Sequence, residues 1–324
     1  MYKILLFIIG LGQLASAQIT VKDSITEFPV SYATISFGNG QGVFADDEGK
    51  FTFTKKLYPD IDSLFISALG FKNRKLSTKN MPSVLLMRPQ AAILDEVVLG
   101  IKRNRKFRKE TLKPYLDDDY YNCWLPTIES EIAVYFPKTT TKDQKVSLVQ
   151  FPIALESRDW KKRNRSNSEK KPFSTLFKVQ FYGNNQGTPG QVLTYKTITF
   201  RTTEKDGDAV ELNVDAYDIY SPTGGFFVSI QVLGYTDKAG KLLPNKKYKE
   251  IKSKNGVVKI PTNFRPLLPF TNEIETKNTF IKRVFVNGND WVKFENGNGL
   301  KSSLLERGLN NYGIGITYKT FNND

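Results

Sequence analysis

The stretch GVFADDEGKFTFTKK, residues 42–56, places a short acidic turn between two apolar segments. Phe51 and Phe53 are separated by one residue, so both rings lie on one face of a strand. Gly49 relieves the backbone of the turn, and Asp46 is suited to hydrogen-bond the amides within it. A calcium loop would need several oxygen ligands at fixed spacing, and the EF-hand pattern is missing. The stretch therefore predicts a hairpin whose turn binds no metal.

Further strand signals surround this hairpin. The segment VSYATISF places Ala33, Ile35 and Phe37 on one face by alternation. Two more short apolar runs follow at 63–71 and 83–89. Helical spacing is nearly missing from this part of the sequence, and the density of short strands predicts a small β-sandwich.

Three motifs of this region carry a family resemblance. The motif DxxGxF that begins at Asp46, the run SALGF at 67–71 and the segment LDEVVL at 94–99 resemble the carboxypeptidase regulatory-like domain, in the version found at the N-terminus of TonB-dependent outer-membrane receptors. The resemblance implies a small transthyretin-like β-sandwich over residues 18–99 with no chemistry of its own. The rest of the chain is too short for a receptor barrel of about twenty strands with roughly 10 residues each.

The first 17 residues have the composition of an export signal. Lys3 precedes an apolar run at 4–14, and Ala15, Ser16 and Ala17 follow as small residues at a cleavage site. The run is about half the roughly 20 residues that a membrane-spanning helix needs. Residues 1–17 are therefore predicted to be a signal peptide, and no transmembrane segment is expected in the mature chain. Together with the receptor-like motifs, this predicts the periplasm or the outer-membrane surface of a Gram-negative bacterium.

The chain is strongly basic, with 47 Lys and Arg against 33 Asp and Glu and a net charge of +14. Such an excess favours polyanionic partners such as lipopolysaccharide, acidic glycans or an anionic membrane surface. The predicted partner is an anionic glycan, lipopolysaccharide or an outer-membrane protein. Nucleic acid is not expected, because the signal peptide directs the chain out of the cytoplasm. Three basic clusters are present, each typical of a solvated loop or linker when taken alone: KRNRKFRK (102–109), KKRNRSNSEKK (161–171) and KKYKEIKSK (246–254).

Two segments follow the first sandwich. Residues 100–125 are polar and charged without a clear period, which predicts a charged linker or short helix. Residues 126–324 contain short strand candidates separated by Gly, Asn, Asp and Pro, which predicts a larger antiparallel sandwich of jelly-roll type. Strand spacing and a GxPG turn at 187–190 resemble the accessory jelly-roll domains of secreted bacterial proteins, which are related in shape to carbohydrate-binding modules. The predicted fold class is therefore all-β.

The complete absence of histidine limits the possible chemistry. It excludes the Ser-His-Asp triad, the Cys-His pair and the HExxH zinc site, and with them a metallocarboxypeptidase. Cys123 is the only cysteine, so no internal disulfide can form, and its aromatic neighbours predict a small buried hydrophobe. Glycoside hydrolysis by a pair of carboxylates needs no histidine and is therefore still possible. The acidic residues that could serve it are Glu129, Glu131, Glu211, Asp215 and Glu295.

The interpretation that the sequence favours is binding without catalysis, cofactor or metal. Trp160 lies in a hydrophilic insertion, where its ring could stack on a sugar or fold back onto the sandwich. The basic residues beside it could contact anionic groups of the same ligand. The predicted ligand-binding set is Trp160, Lys161, Lys162, Arg163 and Arg165. The expected function is an exported envelope binding or assembly module, and the alternatives are a glycan-cleaving enzyme and a structural spacer.

Overall fold

The computed structural model of the protein describes residues 18–90, 105–117, 119–159, 161, 168–245, 248–253, 256–286, 288 and 290–322. The predicted signal peptide and the segment LDEVVL lie outside these residues. The strands of the N-terminal sandwich are β1 (Gln18–Asp23), β2 (Thr34–Gly38), β3 (Gln41–Phe44), β4 (Lys50–Thr52), β5 (Ser63–Ser67), β6 (Arg74–Ser77) and β7 (Val84–Met87).

The remaining strands follow in chain order. They are β8 (Phe107–Leu112), β9 (Cys123–Trp124), β10 (Ser130–Phe136), β11 (Gln144–Pro152), β12 (Ser174–Asn185), β13 (Thr188–Val192), β14 (Ile198–Thr203), β15 (Ala209–Asn213), β16 (Phe226–Tyr235), β17 (Lys249–Ser253), β18 (Gly256–Ile260), β19 (Leu268–Thr271), β20 (Thr279–Arg283), β21 (Val292–Lys293), β22 (Asn311–Tyr312) and β23 (Gly315–Phe321). The described ranges include short helical turns at Tyr120–Asn122, Asp215–Tyr217 and Ser303–Glu306.

These strands confirm the predicted all-β sandwich fold. The N-terminal sandwich packs sheet β4-β1-β7 against sheet β3-β2-β5-β6. Its core contains Ala33, Ile35 and Phe37 on one face of their segment, together with Phe51 and Phe53, as the alternation predicts. The larger sandwich packs sheet β13-β12-β16-β10-β20-β21, with β14 beside β12, against sheet β15-β11-β23-β8. Among the described residues, no helix has the length and apolar character needed to cross a bilayer.

The predicted hairpin at 42–56 is wrong in its pairing. Strand β3 pairs with β2, whereas β4 pairs with β1 in the opposite sheet, so the turn carries the chain between sheets. The turn itself is built as expected, because Asp46 Oδ1 accepts hydrogen bonds from the amides of Glu48 at 3.0 Å and Lys50 at 2.8 Å. Gly49 has a φ of +71°, and a Cβ there would lie 2.5 Å from the Val21 carbonyl oxygen. Turn residues determine the chain reversal and not the partner of each strand.

The prediction of a linker or short helix is also wrong for part of residues 100–125. Strand β8 forms the edge of the smaller sheet and pairs along its length with β23. Arg105 reinforces this edge through an ion pair with Asp143 at 2.7 Å. Most side chains of β8 are exposed, so the strand shows no apolar alternation in its sequence.

The two sandwiches contact each other directly. Phe44 of β3 packs against Phe285 with ring centroids 5.2 Å apart, and it joins the core of the larger sandwich. Ser36 donates a hydrogen bond to the Phe285 carbonyl at 2.6 Å. Gly42 permits this approach, because a Cβ there would lie 2.3 Å from the Phe285 ring. The contact brings the N-terminal sandwich over the outer face of the larger sheet.

Candidate ligand-binding cleft

A cleft of about 510 Å³ lies between the two sandwiches. One wall comes from the N-terminal sandwich and includes Asp23, Phe28, Tyr32, Leu69 and Phe71. The opposite wall is the outer face of sheet β13-β12-β16-β10-β20-β21 and includes Glu131, Lys178, Gln180, Tyr182, Gln231 and Lys282. The volume is within the range of small-molecule sites in proteins.

Strand alternation explains why polar side chains line this wall. On β12, Phe177, Val179 and Phe181 point into the core and are buried. Lys178 and Tyr182 occupy alternate positions on the same strand and therefore point to the opposite face, into the cleft. A sheet face that would ordinarily meet water is covered here by a second domain.

The strand register aligns four polar residues in one row. Lys178 lies directly opposite Gln231, Gln231 opposite Glu131, and Glu131 opposite Lys282. Directly opposed side chains have Cβ atoms about 4.5–5.5 Å apart, so each member can act on a ligand together with its neighbour. We call Lys178, Gln231, Glu131 and Lys282 the polar row.

Glu131 is held in a defined orientation within the row. The residue is only 5% exposed, and its Oε1 accepts hydrogen bonds from Tyr182 at 2.8 Å and Ser229 at 2.7 Å. Burial and the negative Glu131 carboxylate raise the pKa of Tyr182 well above its ordinary value. Tyr182 therefore remains a hydroxyl donor, and Glu131 presents a positioned carboxylate to the cleft.

Gln231 is the feature of the row that internal packing does not account for. It is 1% exposed, and neither its amide nitrogen nor its amide oxygen has a hydrogen-bond partner in the described part of the chain. Leaving a buried polar group unsatisfied costs about 1–3 kcal/mol. Gln180 on the same face is 5% exposed, yet its amide donates to the Thr194 carbonyl at 2.7 Å. A ligand with both donors and acceptors would satisfy Gln231.

The two lysines of the row give this wall a positive charge. Neither ammonium lies within ion-pair distance of a carboxylate among the residues that the structure describes. Instead Lys178 lies over the Phe44 ring at 5.9 Å and Lys282 over the Trp291 ring at 5.5 Å. Burial lowers the pKa of Lys178, Glu131 opposes that shift, and Lys282 adds to it. The two lysines are the ends of the row, three strand spacings or about 14 Å apart, so each can pair separately with an anionic group of a ligand.

Aromatic side chains contribute to the cleft lining. Phe28 is 73% exposed and Tyr195 is 37% exposed. Exposed rings beside polar groups provide the apolar surface on which a sugar ring can stack. The cleft therefore combines two cations, a fixed carboxylate, an unsatisfied amide and accessible aromatic surface.

The predicted ligand-binding set lies elsewhere in the chain. Lys161 is exposed, and its backbone amide donates to Asp159 Oδ1 at 2.9 Å. Lys161 does not line the cleft. Trp160, Lys162, Arg163 and Arg165 lie outside the described residues, so their role stays a prediction.

Of the candidate carboxylates, only Glu131 lines the cleft. Burial raises the pKa of the Glu129 carboxyl, while Arg283 and a hydrogen bond with Tyr248 lower it in part. Glu211 accepts a hydrogen bond from Gln150 at 2.9 Å.

The other two candidate carboxylates, Asp215 and Glu295, are paired with lysines. Asp215 pairs with Lys145 and Lys319, and Glu295 pairs with Lys277 and Lys293. These contacts are typical of surface ion pairs.

Two further side chains with possible chemistry, Cys123 and Asp206, have structural roles. Cys123 is buried, which confirms its predicted place among apolar residues. Asp206 caps the turn after β14, because its Oδ2 accepts hydrogen bonds from the Thr202 hydroxyl at 2.8 Å and from the Thr203 amide at 2.7 Å. Within the described ranges, no group of three or more Cys, Asp or Glu side chains is arranged to hold a metal ion.

Comparisons with known proteins identify no family. No protein-family model and no curated protein matches the chain. A crystal structure of the cysteine protease and lectin-like domains of Cwp84, a surface layer associated protein of Clostridium difficile, is similar at a TM-score of 0.34 and 12% identity, over 65% of this chain and 36% of that one. The same clostridial protease after propeptide cleavage has a TM-score of 0.32 and 13% identity, over 65% and 40%. The chain thus spans well under half of either protein, and this degree of similarity identifies neither fold nor function.

Sequence reasoning noted Glu131 and missed the rest of the row. The signal was the alternation of Lys178, Gln180 and Tyr182 with three apolar residues on one strand. That pattern is also typical of a solvent-facing sheet. Only the three-dimensional structure places a second sandwich over this face.

Proposed function

We propose that the protein is an exported, non-enzymatic envelope module that binds an anionic glycan or the saccharide of lipopolysaccharide in the cleft. The observation that supports this most is Gln231, buried in a charged row with both amide atoms unpaired. Native proteins contain few such groups, and each has a cost to stability. A ligand that pairs with the Gln231 amide would explain why this unpaired group is present.

The chemistry of the row favours an acidic sugar. A carboxylate, sulfate or phosphate of the ligand would pair with Lys178 or Lys282, at either end of the row. Ligand hydroxyl groups can donate to Glu131 and the Gln231 oxygen and accept from the Gln231 nitrogen. The exposed rings of Phe28 and Tyr195 would contact the apolar face of the sugar.

A glycan and lipopolysaccharide array with the mature protein, read at two salt concentrations, tests this proposal. We expect binding to acidic saccharides that falls only in part as salt rises, because the row is largely shielded from solvent. Gln231→Leu should lose this binding, while the matched Gln180→Leu variant should retain most of it. Equal binding by the parent and Gln231→Leu would exclude the cleft as the binding site. Binding that disappears entirely with salt would indicate surface charge alone.

One observation favours a glycan-cleaving enzyme as the second candidate. Asp23 and Glu131 line opposite walls of the same cleft. Hydrogen bonds from the Ile25 amide and Thr26 lower the pKa of Asp23, although partial desolvation opposes this, so its carboxylate stays ionised. Two carboxylates across a cleft are the minimum for glycoside hydrolysis. Release of reducing ends by the parent but not by Glu131→Gln or Asp23→Asn would establish the enzyme and overturn the binding module.

A further inference from the structure

Strands β17 and β18 form a hairpin that pairs only with itself among the described strands. Ile251 lies directly opposite Val258, and Ile260 lies opposite Lys249 on the same face. These aliphatic side chains are 41%, 49% and 38% exposed, in that order. A two-stranded hairpin is marginally stable alone in water, and a cluster of exposed aliphatic residues is typical of an interaction surface.

The base of the hairpin is fixed while its body projects. Tyr248, directly before β17, is buried, and its hydroxyl accepts a hydrogen bond from the Gly42 amide at 3.0 Å. The Lys259 ammonium pairs with the Asp60 carboxylate at 2.5 Å. Both contacts join the hairpin to the N-terminal sandwich, so its exposed face has a defined position on the molecule.

The composition of the segment identifies the partner that this face fits. Residues 246–259 contain lysine at positions 246, 247, 249, 252, 254 and 259 and a single acidic residue, Glu250. Aliphatic side chains flanked by lysines suit the boundary between acyl chains and anionic headgroups. We propose that hairpin β17–β18 is a peripheral anchor that binds a lipid surface carrying phosphate groups. This proposal does not depend on the cleft or its ligand.

Two sources can supply the phosphate groups, and cosedimentation with vesicles distinguishes them. The mature protein is mixed with phosphatidylcholine vesicles, with equimolar phosphatidylcholine and phosphatidylglycerol vesicles, and with phosphatidylcholine vesicles containing lipopolysaccharide. We expect binding to the anionic vesicles that exceeds binding to the neutral ones by on the order of tenfold or more and weakens with salt. The preferred anionic vesicle identifies the headgroup source.

Two double variants separate the apolar and the charged contributions. Ile251→Ser with Val258→Ser should weaken binding by on the order of tenfold, because two aliphatic contacts are lost. Lys249→Ser with Lys252→Ser should produce a loss of similar size. Val84→Ser, whose side chain is 43% exposed elsewhere, and Lys72→Ser are the matched controls and should bind like the parent.

Three results would overturn the proposal. The first is equal binding by the parent and both double variants. The second is equal binding of the parent to neutral and anionic vesicles. The third is a serine variant that converts a dimer to a monomer in sedimentation velocity while it keeps vesicle binding, because the hairpin would then join two copies of the chain. Gln231→Leu should bind the phosphatidylcholine–phosphatidylglycerol vesicles, which carry no saccharide, as the parent does, so failure of the cleft and failure of the anchor remain distinguishable.

Discussion

Two polar clusters in the larger sandwich differ in how their charges are compensated. Near the end of β11, Glu156 is 7% exposed in its side chain and accepts hydrogen bonds from both Arg265 and Lys171, the latter at 2.5 Å. In the polar row of the cleft, Lys178 and Lys282 have no carboxylate within ion-pair distance among the described residues, and Gln231 has no partner there. We call the first group the Glu156 cluster.

This difference separates a structural role from the proposed binding role. In the Glu156 cluster each buried charge is compensated inside the chain, so the cluster requires no external group. In the polar row the donors and acceptors are oriented by the sheet and remain incompletely used. Substitutions should therefore reduce stability in the first cluster and reduce ligand affinity in the second.

The largest effect is expected for Glu156→Gln. The change leaves Arg265, 20% exposed in its side chain, without its carboxylate partner. Loss of one partner of a buried pair should lower the free energy of unfolding by roughly 3 kcal/mol, as measured by urea denaturation. Glu211→Gln in the same sandwich is the exposed control and should change stability by less than about 0.5 kcal/mol. Equal losses in the two variants would contradict the comparison.

A smaller loss is expected for Tyr182→Phe. Glu131 keeps the hydrogen bond from Ser229 and loses the one from Tyr182. One missing hydrogen bond to a buried carboxylate should lower the free energy of unfolding by about 1.5 kcal/mol. Tyr195→Phe, at the exposed edge of the same cleft, should be neutral by the same measurement. If both variants unfold like the parent, the hydroxyl does not position Glu131.

Lowering the pH should show how much the Glu156 carboxylate contributes to stability, without a mutation. Burial raises the pKa of Glu156, but hydrogen bonds and charge from Lys171 and Arg265 lower it below its ordinary value overall. The stabilisation is therefore complete above the unfolded pKa of about 4.3 and is lost as pH falls through the folded pKa. Between neutral pH and that range, the parent should lose more stability than Glu156→Gln. Parallel stability curves for the two proteins would show that this carboxylate does not contribute.

The smallest change in stability should have the opposite sign. Gln231→Leu replaces an unsatisfied buried amide by an apolar group, so the free energy of unfolding should stay the same or rise by about 1 kcal/mol. Gln180→Leu is the matched control, because it removes the bond to the Thr194 carbonyl and should cost about 1 kcal/mol. Comparable destabilisation by both leucines would mean that Gln231 has a partner inside the protein after all.

The sequence predicts the cores better than it predicts the connections. Alternation identifies the buried face of β2, because strand side chains alternate strictly between faces. It does not show that β3 and β4 belong to different sheets, since the same Asp46 and Gly49 turn can close a hairpin or cross between sheets. It also misses β8, where exposed charged residues give an edge strand the composition of a linker.

The candidate site was accessible to sequence reasoning only in part. Each member of the polar row lies on a different strand, and the register that aligns Lys178 with Gln231 and Glu131 depends on pairing between distant segments. The burial of that row depends on the position of the N-terminal sandwich, which Phe44 and Phe285 establish. The segment around Trp160 is the more visible candidate in the sequence because its basic residues are adjacent.

Calorimetric titration of one acidic oligosaccharide into three proteins tests the central claim most directly. The proteins are the parent, Lys178→Met and Lys161→Ser, which remove one cation from the cleft and one from the basic segment 161–171. If the cleft binds the anionic group, Lys178→Met should lose at least about tenfold in affinity, because a charged hydrogen bond is lost, and Lys161→Ser should match the parent. A loss in Lys161→Ser with unchanged affinity in Lys178→Met would place the ligand at the basic segment 161–171 and contradict the account.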